Sequence, residues 1–255
     1  MGPAFRGTLP REVAMRRFLP FVILAVLLAG PAGAGGFTFS PAFTPGDFRD
    51  LADAFGDAIS FPNLGTAAAT GVAGFEVLAA AGGPQVDTGA HWWRNGGVDA
   101  RTFGGALTGY RGIVRKGLPW HLDVGAQVGR VAGERFWGGE ARWGIWDAGV
   151  LAPAAALRLA YSRLDGSAVA LDVTEAQLVV SKGFLVVSPY AAAGFRRTVA
   201  QAVFGDPIVM RHRVSAERWT GVVGARFALL PLLHVVAEAR RGAATSFFVG
   251  AGVGL

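Results

Sequence analysis

Two pairs of titratable side chains have the spacing that acid–base chemistry needs on a strand. His121 and Asp123 are two residues apart, and His234 and Glu238 are four apart. Because side chains alternate between the two faces of a strand, the members of each pair share one face. A carboxylate that orients a histidine is the first part of a hydrolase site. The sequence therefore offers two positions at which hydrolysis could be catalysed.

No motif of established chemistry accompanies these pairs. The chain has no Walker-type phosphate loop, no G-x-S-x-G elbow and no HExxH pair, and its four histidines do not have paired-ligand spacing. It also has no cysteine, which excludes disulfides and thiolate metal sites. We therefore expect no catalytic, cofactor-binding or metal-binding residues. Both histidine pairs are then interpreted as polar packing.

Tryptophan and arginine side chains in two polar segments are suited to surface contacts. They lie in His91-Trp-Trp-Arg-Asn95 and in Arg211-His-Arg213. Tryptophan and arginine commonly anchor interfaces, and guanidinium groups also bind phosphates. The candidate contact residues, for a partner or for lipopolysaccharide, are Trp92, Trp93, Arg94, Arg211 and Arg213. In the alternative interpretation, Trp92 and Trp93 belong to an aromatic girdle at the membrane surface.

Residues 1–34 have the organisation of an export signal. A basic Met15-Arg-Arg17 precedes the apolar run Phe18–Ala29, and Ala32-Gly-Ala34 is a small-residue cleavage site. Residues 1–14 are interpreted as an extended basic region of the signal or as a mis-called start, with Met15 the real one. We expect cleavage after Ala34, because the apolar run is short for a retained membrane anchor. Four arginines and one glutamate in this segment supply +3 of the formal +6 charge. The remaining basic residues are scattered, which excludes nucleic acid as a partner.

Residues 35–69 are predicted to form an N-terminal segment with one helix over residues 45–60. Thr44 provides a capping hydroxyl, followed by a proline and by Asp47 in the first turn. Apolar residues then recur at spacings of three and four at Phe48, Leu51 and Phe55. We expect a short amphipathic helix that lies on the periplasmic side or in the lumen of a barrel formed by residues 70–255.

From Gly71 onward the chain alternates between apolar and polar residues. In Trp120–Gly129, for example, every second residue is apolar. About ten strands are predicted, at 71–81, 104–115, 119–131, 136–147, 153–163, 168–181, 185–198, 214–229, 232–241 and 246–255. Most are longer than the roughly 5–6 residues usual in soluble proteins, and match the roughly 9–11 residues that cross a bilayer.

The connections between these strands alternate in length. The second, fourth, sixth and eighth are tight, whereas the first (82–103) and the seventh (199–213) are long and polar. Transmembrane barrels have short periplasmic turns and longer external loops. The pattern therefore predicts that the even-numbered connections are periplasmic and that the long ones face outward.

The alternation also predicts an apolar exterior and a polar lumen. The predicted lumen network contains both signs of charge and comprises Glu76, His121, Asp123, Arg142, Arg158, Arg226, Glu238 and Arg240. Aromatic residues near strand ends predict two interfacial girdles. They are Trp120, Trp146 and Tyr190 at the periplasmic end, and Phe136, Trp137, Tyr161, Phe195 and Trp219 at the outer end.

The last segment, Ser246–Leu255, alternates up to the final residue. Lipid tolerates no open sheet edge, so this strand must pair with the first one. The predicted fold is all-β: an antiparallel transmembrane β-barrel of about ten strands with a short N-terminal amphipathic helix, in the outer membrane of a Gram-negative bacterium. The segment resembles the terminal recognition strand of outer-membrane proteins, although Leu255 replaces the usual Phe or Trp. The resemblance implies contact with the barrel assembly machinery during insertion.

Further stretches carry a second resemblance through their order along the chain. They are Asp47–Phe55, Gly71–Glu76, Lys116–Gly125, Gly138–Trp143, Leu157–Arg163, Ser181–Phe184 and Ser188–Tyr190. Together they resemble an uncharacterised family of small bacterial outer-membrane β-barrel proteins, over most of the chain that follows the signal. The resemblance implies a fold and a location, and brings no activity with it.

The expected role is structural or surface-interacting, with outer-membrane lipid and lipopolysaccharide as partners. The alternative is a passive channel for small solutes. Such a channel would be narrow, because about ten strands enclose little more than their own side chains. A lipid-modifying enzyme is a more distant alternative. Outer-membrane barrel enzymes have their active sites near the outer rim. His121 and His234 begin strands at the opposite, periplasmic end, which disfavours this alternative.

Overall fold

A closed barrel of ten antiparallel strands forms the body of the protein. The computed structural model describes residues 37, 39–98, 102–146, 152–166, 168–204 and 210–254. The predicted export signal and Leu255 lie outside these residues. Neither of the two described helices is long and apolar enough to cross a membrane.

The barrel strands follow one another around the wall in chain order. They are β1 (Phe75–Pro84), β4 (Gly109–Leu118), β5 (Leu122–Val131), β6 (Glu134–Trp146), β7 (Ala154–Asp165), β8 (Val169–Ser181), β9 (Val187–Phe204), β10 (Met210–Ala228), β11 (Leu233–Arg241) and β12 (Thr245–Gly254). The first connection contains the two-residue strands β2 (Thr102–Phe103) and β3 (Ala106–Leu107). The helices are α1 (Pro45–Ile59), before the barrel, and α2 (His91–Asn95), in the first connection.

The barrel closes between its first and last strands, as the sequence predicts. Val77 of β1 is paired with Val253 of β12 on one side and with Val114 of β4 on the other. Every one of the ten barrel strands is therefore paired on both sides, and the described barrel wall has no open edge. Each of the ten predicted strands corresponds to one observed strand.

The seventh connection is shorter than its polar composition predicts. β9 and β10 have 18 and 19 residues and continue to pair through most of 199–213. Ala200 and Ala202 continue the inward-facing alternation and are buried. Strand pairing therefore buries apolar side chains and satisfies backbone hydrogen bonds in this stretch, which favours strand over loop. The hairpin formed by β9 and β10 is the longest in the barrel wall.

The turn between β4 and β5 also differs from the prediction. Trp120 and His121 both have positive φ, at 61° and 59°. This conformation belongs to the tight two-residue hairpin turns. The strand therefore begins at Leu122, and His121 is an exposed turn residue and not part of the lumen.

α1 lies inside the barrel and forms its apolar core. The helix begins with a capping box, in which Thr44 and Asp47 bond to each other's backbone N–H groups. Its apolar side chains are fully buried, at Phe48, Leu51, Phe55 and Ile59. They pack against inward residues of the wall that include Leu164, Val173 and Ala200. Each such burial contributes about 1.5–3 kcal/mol, so packing holds this short helix in place.

Candidate functional site: the plugged lumen and the outer mouth

Residue 37 and residues 39–74 lie along the lumen, from the loop end to the turn end of the barrel. At the loop end, the backbone N–H of Ser40 donates to the carbonyl oxygen of Asn95 at 2.8 Å. At the turn end, the hydroxyl of Thr70 donates to Asp123, beside the start of β5, at 2.7 Å. We call residues 37 and 39–74 the plug segment. The sequence left its position open between lumen and periplasm, and the structure places it in the lumen.

Arginines of the wall bind the backbone of the plug segment between residues 58 and 66. Each bond runs from a guanidinium group to a carbonyl oxygen. Arg111 donates to Ala58 (2.6 Å) and Ser60 (2.8 Å), and Arg115 donates to Asn63 (2.7 Å) and Leu64 (3.2 Å). Arg142 donates to Thr66 (2.6 Å), while Arg158 (2.7 Å) and Arg240 (3.1 Å) both donate to Phe61. Ala58 lies in the last turn of α1, where carbonyls have no intrahelical donor and carry a partial negative charge. The other carbonyls lie beyond the helix, in buried backbone that needs hydrogen-bond donors from elsewhere. The wall supplies these donors as cations.

Carboxylates of the wall neutralise these arginines and bind the plug segment as well. Glu140 accepts from Nε of Arg115 at 2.5 Å and from Nε of Arg158 at 2.6 Å. Glu238 accepts from the backbone N–H of Leu64 at 2.7 Å and from the hydroxyl of Tyr190 at 2.9 Å. A buried charge is tolerated only when it is paired and hydrogen-bonded. The plug segment is therefore part of an interlocked ionic network across the whole lumen.

Seven of the eight predicted lumen residues point into the barrel. Glu76, Asp123, Arg142, Arg158, Glu238 and Arg240 are buried there, and Arg226 is half-buried. The eighth, His121, lies in the exposed turn. His234 is buried inside, but its Nε2 lies 2.9 Å from Glu76 and does not form the expected pair with Glu238.

Several lumen residues are absent from the sequence-based list. Along β4, Arg111 and Arg115 lie on the same inward face as Gly109 and Ile113. The period of two along a strand could therefore have identified both arginines as lumen residues. Tyr190 and Phe136 were predicted to be girdle residues, but both are buried inside, at 4% and 2% exposure. A shift of one residue in a strand exchanges its two faces, which explains these two errors. No local signal marks Asn63, whose side chain accepts from Arg142 at 2.7 Å.

α2 covers the outer end of the plug segment. Its residues Trp92 and Trp93 are half-buried and pack against the apolar cluster around α1. Both indoles are therefore used in part for packing, and each keeps an accessible edge at the outer mouth. Arg94 and Arg213 are exposed, whereas the side chain of Arg211 lies outside the described part of the chain.

A polar pocket of about 410 Å³ opens at this outer mouth. It is lined by Asp50, Asp53, Ala54, Gln85, Val86, Asp87, Trp92, Arg218 and residues 242–244. Asp53 is 6% exposed, and its Oδ2 accepts from Arg218 at 2.8 Å. Its Oδ1 has no hydrogen-bond partner among the described residues. Partial desolvation and the neighbouring carboxylates of Asp53 and Asp47 raise the pKa of Asp50. We call this site the mouth pocket.

A histidine–aspartate pair also lies at the outer mouth, and the sequence analysis missed it. Nδ1 of His91 lies 2.8 Å from Asp47, 44 positions away in the chain. Such a pair could act as a general base. The hydroxyl in the same cluster, Thr44, donates to Asp47 and caps α1. Within the described ranges, no three His, Asp or Glu side chains are grouped so as to hold a metal ion.

The exterior of the barrel is apolar around its middle. Trp143, Leu157, Leu159, Val223 and Val249 are each between 47% and 62% exposed. Exposed aromatic pairs lie further out, between Trp137 and Tyr161 and between Phe195 and Trp219. An outward apolar band with aromatic residues at its edge, around a closed barrel with an even number of strands, is typical of single-chain bacterial barrels in a membrane. The protein is a bacterial outer-membrane β-barrel.

Comparisons with known proteins find similarity in structure alone. No protein-family model matches the chain, and no curated protein matches it. The β-barrel domain of OprF from Pseudomonas aeruginosa has a TM-score of 0.37 and 12% identity, covering 71% of this chain and 95% of that one. The outer membrane protease OmpT from Escherichia coli has a TM-score of 0.40 and 9% identity, with the same coverage of both chains.

A third solved structure is Ail, the attachment invasion locus protein of Yersinia pestis, in complex with the heparin analogue sucrose octasulfate. It has a TM-score of 0.31 and 12% identity, and the match covers 71% of this chain and 96% of that one. Likenesses of this degree carry no information about ligand or activity.

Proposed function

We propose that this protein is a self-plugged barrel of the outer membrane that acts through its outer face, as a structural or surface-interaction protein. The observation that carries the proposal is the set of wall arginines bound to the plug backbone. A lumen occupied in this way does not serve as a route for solutes.

The mouth pocket is the contact site that fits this proposal. It combines three carboxylates, one guanidinium and the edge of an indole, around a volume that suits a small group of a larger ligand. The unpartnered Oδ1 of Asp53 is a buried acceptor that a ligand donor would satisfy. The excess of carboxylates favours ligands that carry amine or hydroxyl donors.

A binding screen tests the proposal directly. The protein, held in lipid nanodiscs, is screened against amine-bearing, neutral and sulfated oligosaccharides and against short cationic and acidic peptides. We expect binding by amine-bearing or hydroxyl-rich members, and a loss of at least about tenfold in Asp53→Asn. Asp165→Asn, which changes an exposed carboxylate on the exterior, is the matched control. Binding by no member, or equal binding by Asp53→Asn, would overturn the assignment.

A further inference from the structure

Two arginines face each other across the outer end of the β5–β6 hairpin. Arg130 of β5 is the direct cross-strand partner of Arg135 of β6. The hairpin turns through Ala132 and Gly133, both with positive φ. The strand neighbours Val131 and Phe136 are buried inside at 1% and 2% exposure. Strand alternation therefore directs both guanidinium groups to the exterior.

These two charges have no partner in the described part of the chain. Outside the backbone ladder, the side chain of neither Arg130 nor Arg135 makes a hydrogen bond or an ion pair with a described residue. By contrast, the exterior Arg163 lies 2.7 Å from Asp165 and 3.0 Å from Asp172. Like charges directly opposite each other destabilise an antiparallel pair. An anion that binds between the guanidinium groups would remove this repulsion.

Their height on the barrel identifies the source of the anion. Trp137, the outward residue two positions after Arg135, is 50% exposed and is paired with Val128. It belongs to the outer aromatic girdle, which lies at headgroup level. Two residues of a strand span about 7 Å, so the arginines lie just beyond the girdle. Tyr110, 49% exposed, is the cross-strand partner of Arg130 and extends the same row.

We infer that Arg130 and Arg135 form a binding site for a phosphate group of an outer-leaflet glycolipid. Guanidinium groups bind phosphate oxygens through paired, charge-assisted hydrogen bonds. Two of them at the separation of a cross-strand pair can hold one phosphate between them. Trp137 and Tyr110 lie beside the site and can pack against sugar or acyl groups of the same lipid. This site is on the barrel exterior and is independent of the mouth pocket.

The test compares lipid binding by two variants. Native mass spectrometry measures the binding of diphosphorylated lipid A to the detergent-solubilised protein, to Arg130→Gln/Arg135→Gln and to Arg197→Gln. The last variant removes an exterior arginine that has Glu217 4.0 Å away. We expect a loss of at least about tenfold in the double variant alone, since two charge-assisted contacts disappear. Equal losses in both variants, or none in the double variant, would overturn the inference.

Two further arms separate the phosphate from the rest of the lipid. Dephosphorylated lipid A should bind wild type and double variant alike, and tighter binding of this form by wild type would contradict a phosphate site. Equimolar inorganic phosphate should leave lipid A bound, whereas displacement would contradict a lipid site. Folding is checked by the heat-dependent shift on gels. The double variant should unfold in lipid-free detergent no sooner than wild type, because its repulsion is gone.

Discussion

The guanidinium group of Arg158 donates a 2.7 Å hydrogen bond to the carbonyl oxygen of Phe61 and lies 5.4 Å from the centre of the same residue's ring. One residue of the wall thus holds both the backbone and the side chain of the plug segment. Both residues are buried, at 1% exposure each. The contact joins the mid-barrel charge network to the plug segment.

Removing the charge of Arg158 should strongly destabilise the barrel. Arg158→Met leaves the carbonyl oxygen of Phe61 with one donor fewer and reduces the neutralisation of Glu140. Breaking one side of a buried ionic network costs about 3–5 kcal/mol. Urea unfolding in detergent measures this difference. The control Arg163→Met removes an exterior pair with Asp165 and should cost at most about 1 kcal/mol. Similar costs in both variants would contradict an interlocked lumen.

Enlarging Gly56 should loosen the plug segment. A Cβ atom at this position would lie 2.7 Å from the hydroxyl oxygen of Thr198 on β9, so α1 or the Thr198 side chain must shift to admit a larger residue. Gly56→Leu should therefore cost a few kcal/mol through overpacking. At Gly46 a Cβ atom would meet only Thr44, at 3.6 Å. Gly46→Ala should be neutral or stabilising, because alanine favours a helix. Thermal unfolding of the two variants decides between these outcomes.

The two ends of the plug segment should be accessible from opposite sides of the membrane. The chain has no cysteine, so single-cysteine variants report unambiguously. Ala42 is exposed at the loop end and Val72 at the turn end. A membrane-impermeant maleimide added to intact cells should label Ala42→Cys and not Val72→Cys, since long loops face outward. After the outer membrane is permeabilised, both should react. Labelling of Val72→Cys alone in intact cells would reverse the orientation.

Acid should weaken the contact between α1 and α2. Burial opposes the ionisation of Asp47, but bonds from Thr44 and His91 outweigh it and hold the pKa of Asp47 below its ordinary value of 3.8. The stability that the carboxylate contributes is therefore present above about pH 4 and is lost as pH falls through the lowered pKa. Thermal unfolding of wild type and Asp47→Asn should differ at neutral pH and converge in acid. A difference that stays the same from neutral pH into strong acid would contradict this account.

The barrel was predictable from sequence because its signal is local. Alternation along each strand, as in Leu122–Val131, distinguishes the lipid-facing residues from the lumen-facing ones. The tight connections indicate which strand ends face the periplasm. The tight turn between β4 and β5 was predicted just before residue 119, and not at Trp120 and His121, because positive φ is uncommon at non-glycine residues. One-residue errors of parity then placed Tyr190 and Phe136 on the wrong face.

The plug and the mouth were less accessible, because their contacts join distant parts of the chain. The apolar face of α1 is evident in the sequence, but its partners lie on several strands. Arg142 binds a backbone carbonyl 76 positions away, and every residue has such a carbonyl. The pairing of His91 with Asp47 likewise depends on how the first connection folds back over the lumen.

Ion conductance in planar bilayers tests the central claim, that the chain plugs its own barrel. Protein whose folding is verified by its heat-dependent gel shift is added to one side of the membrane, and Gly56→Leu is recorded in parallel. We predict no single-channel steps for wild type and intermittent steps for the variant, as its plug segment is displaced. Regular, sustained steps from folded wild-type protein would contradict the claim and would establish a channel.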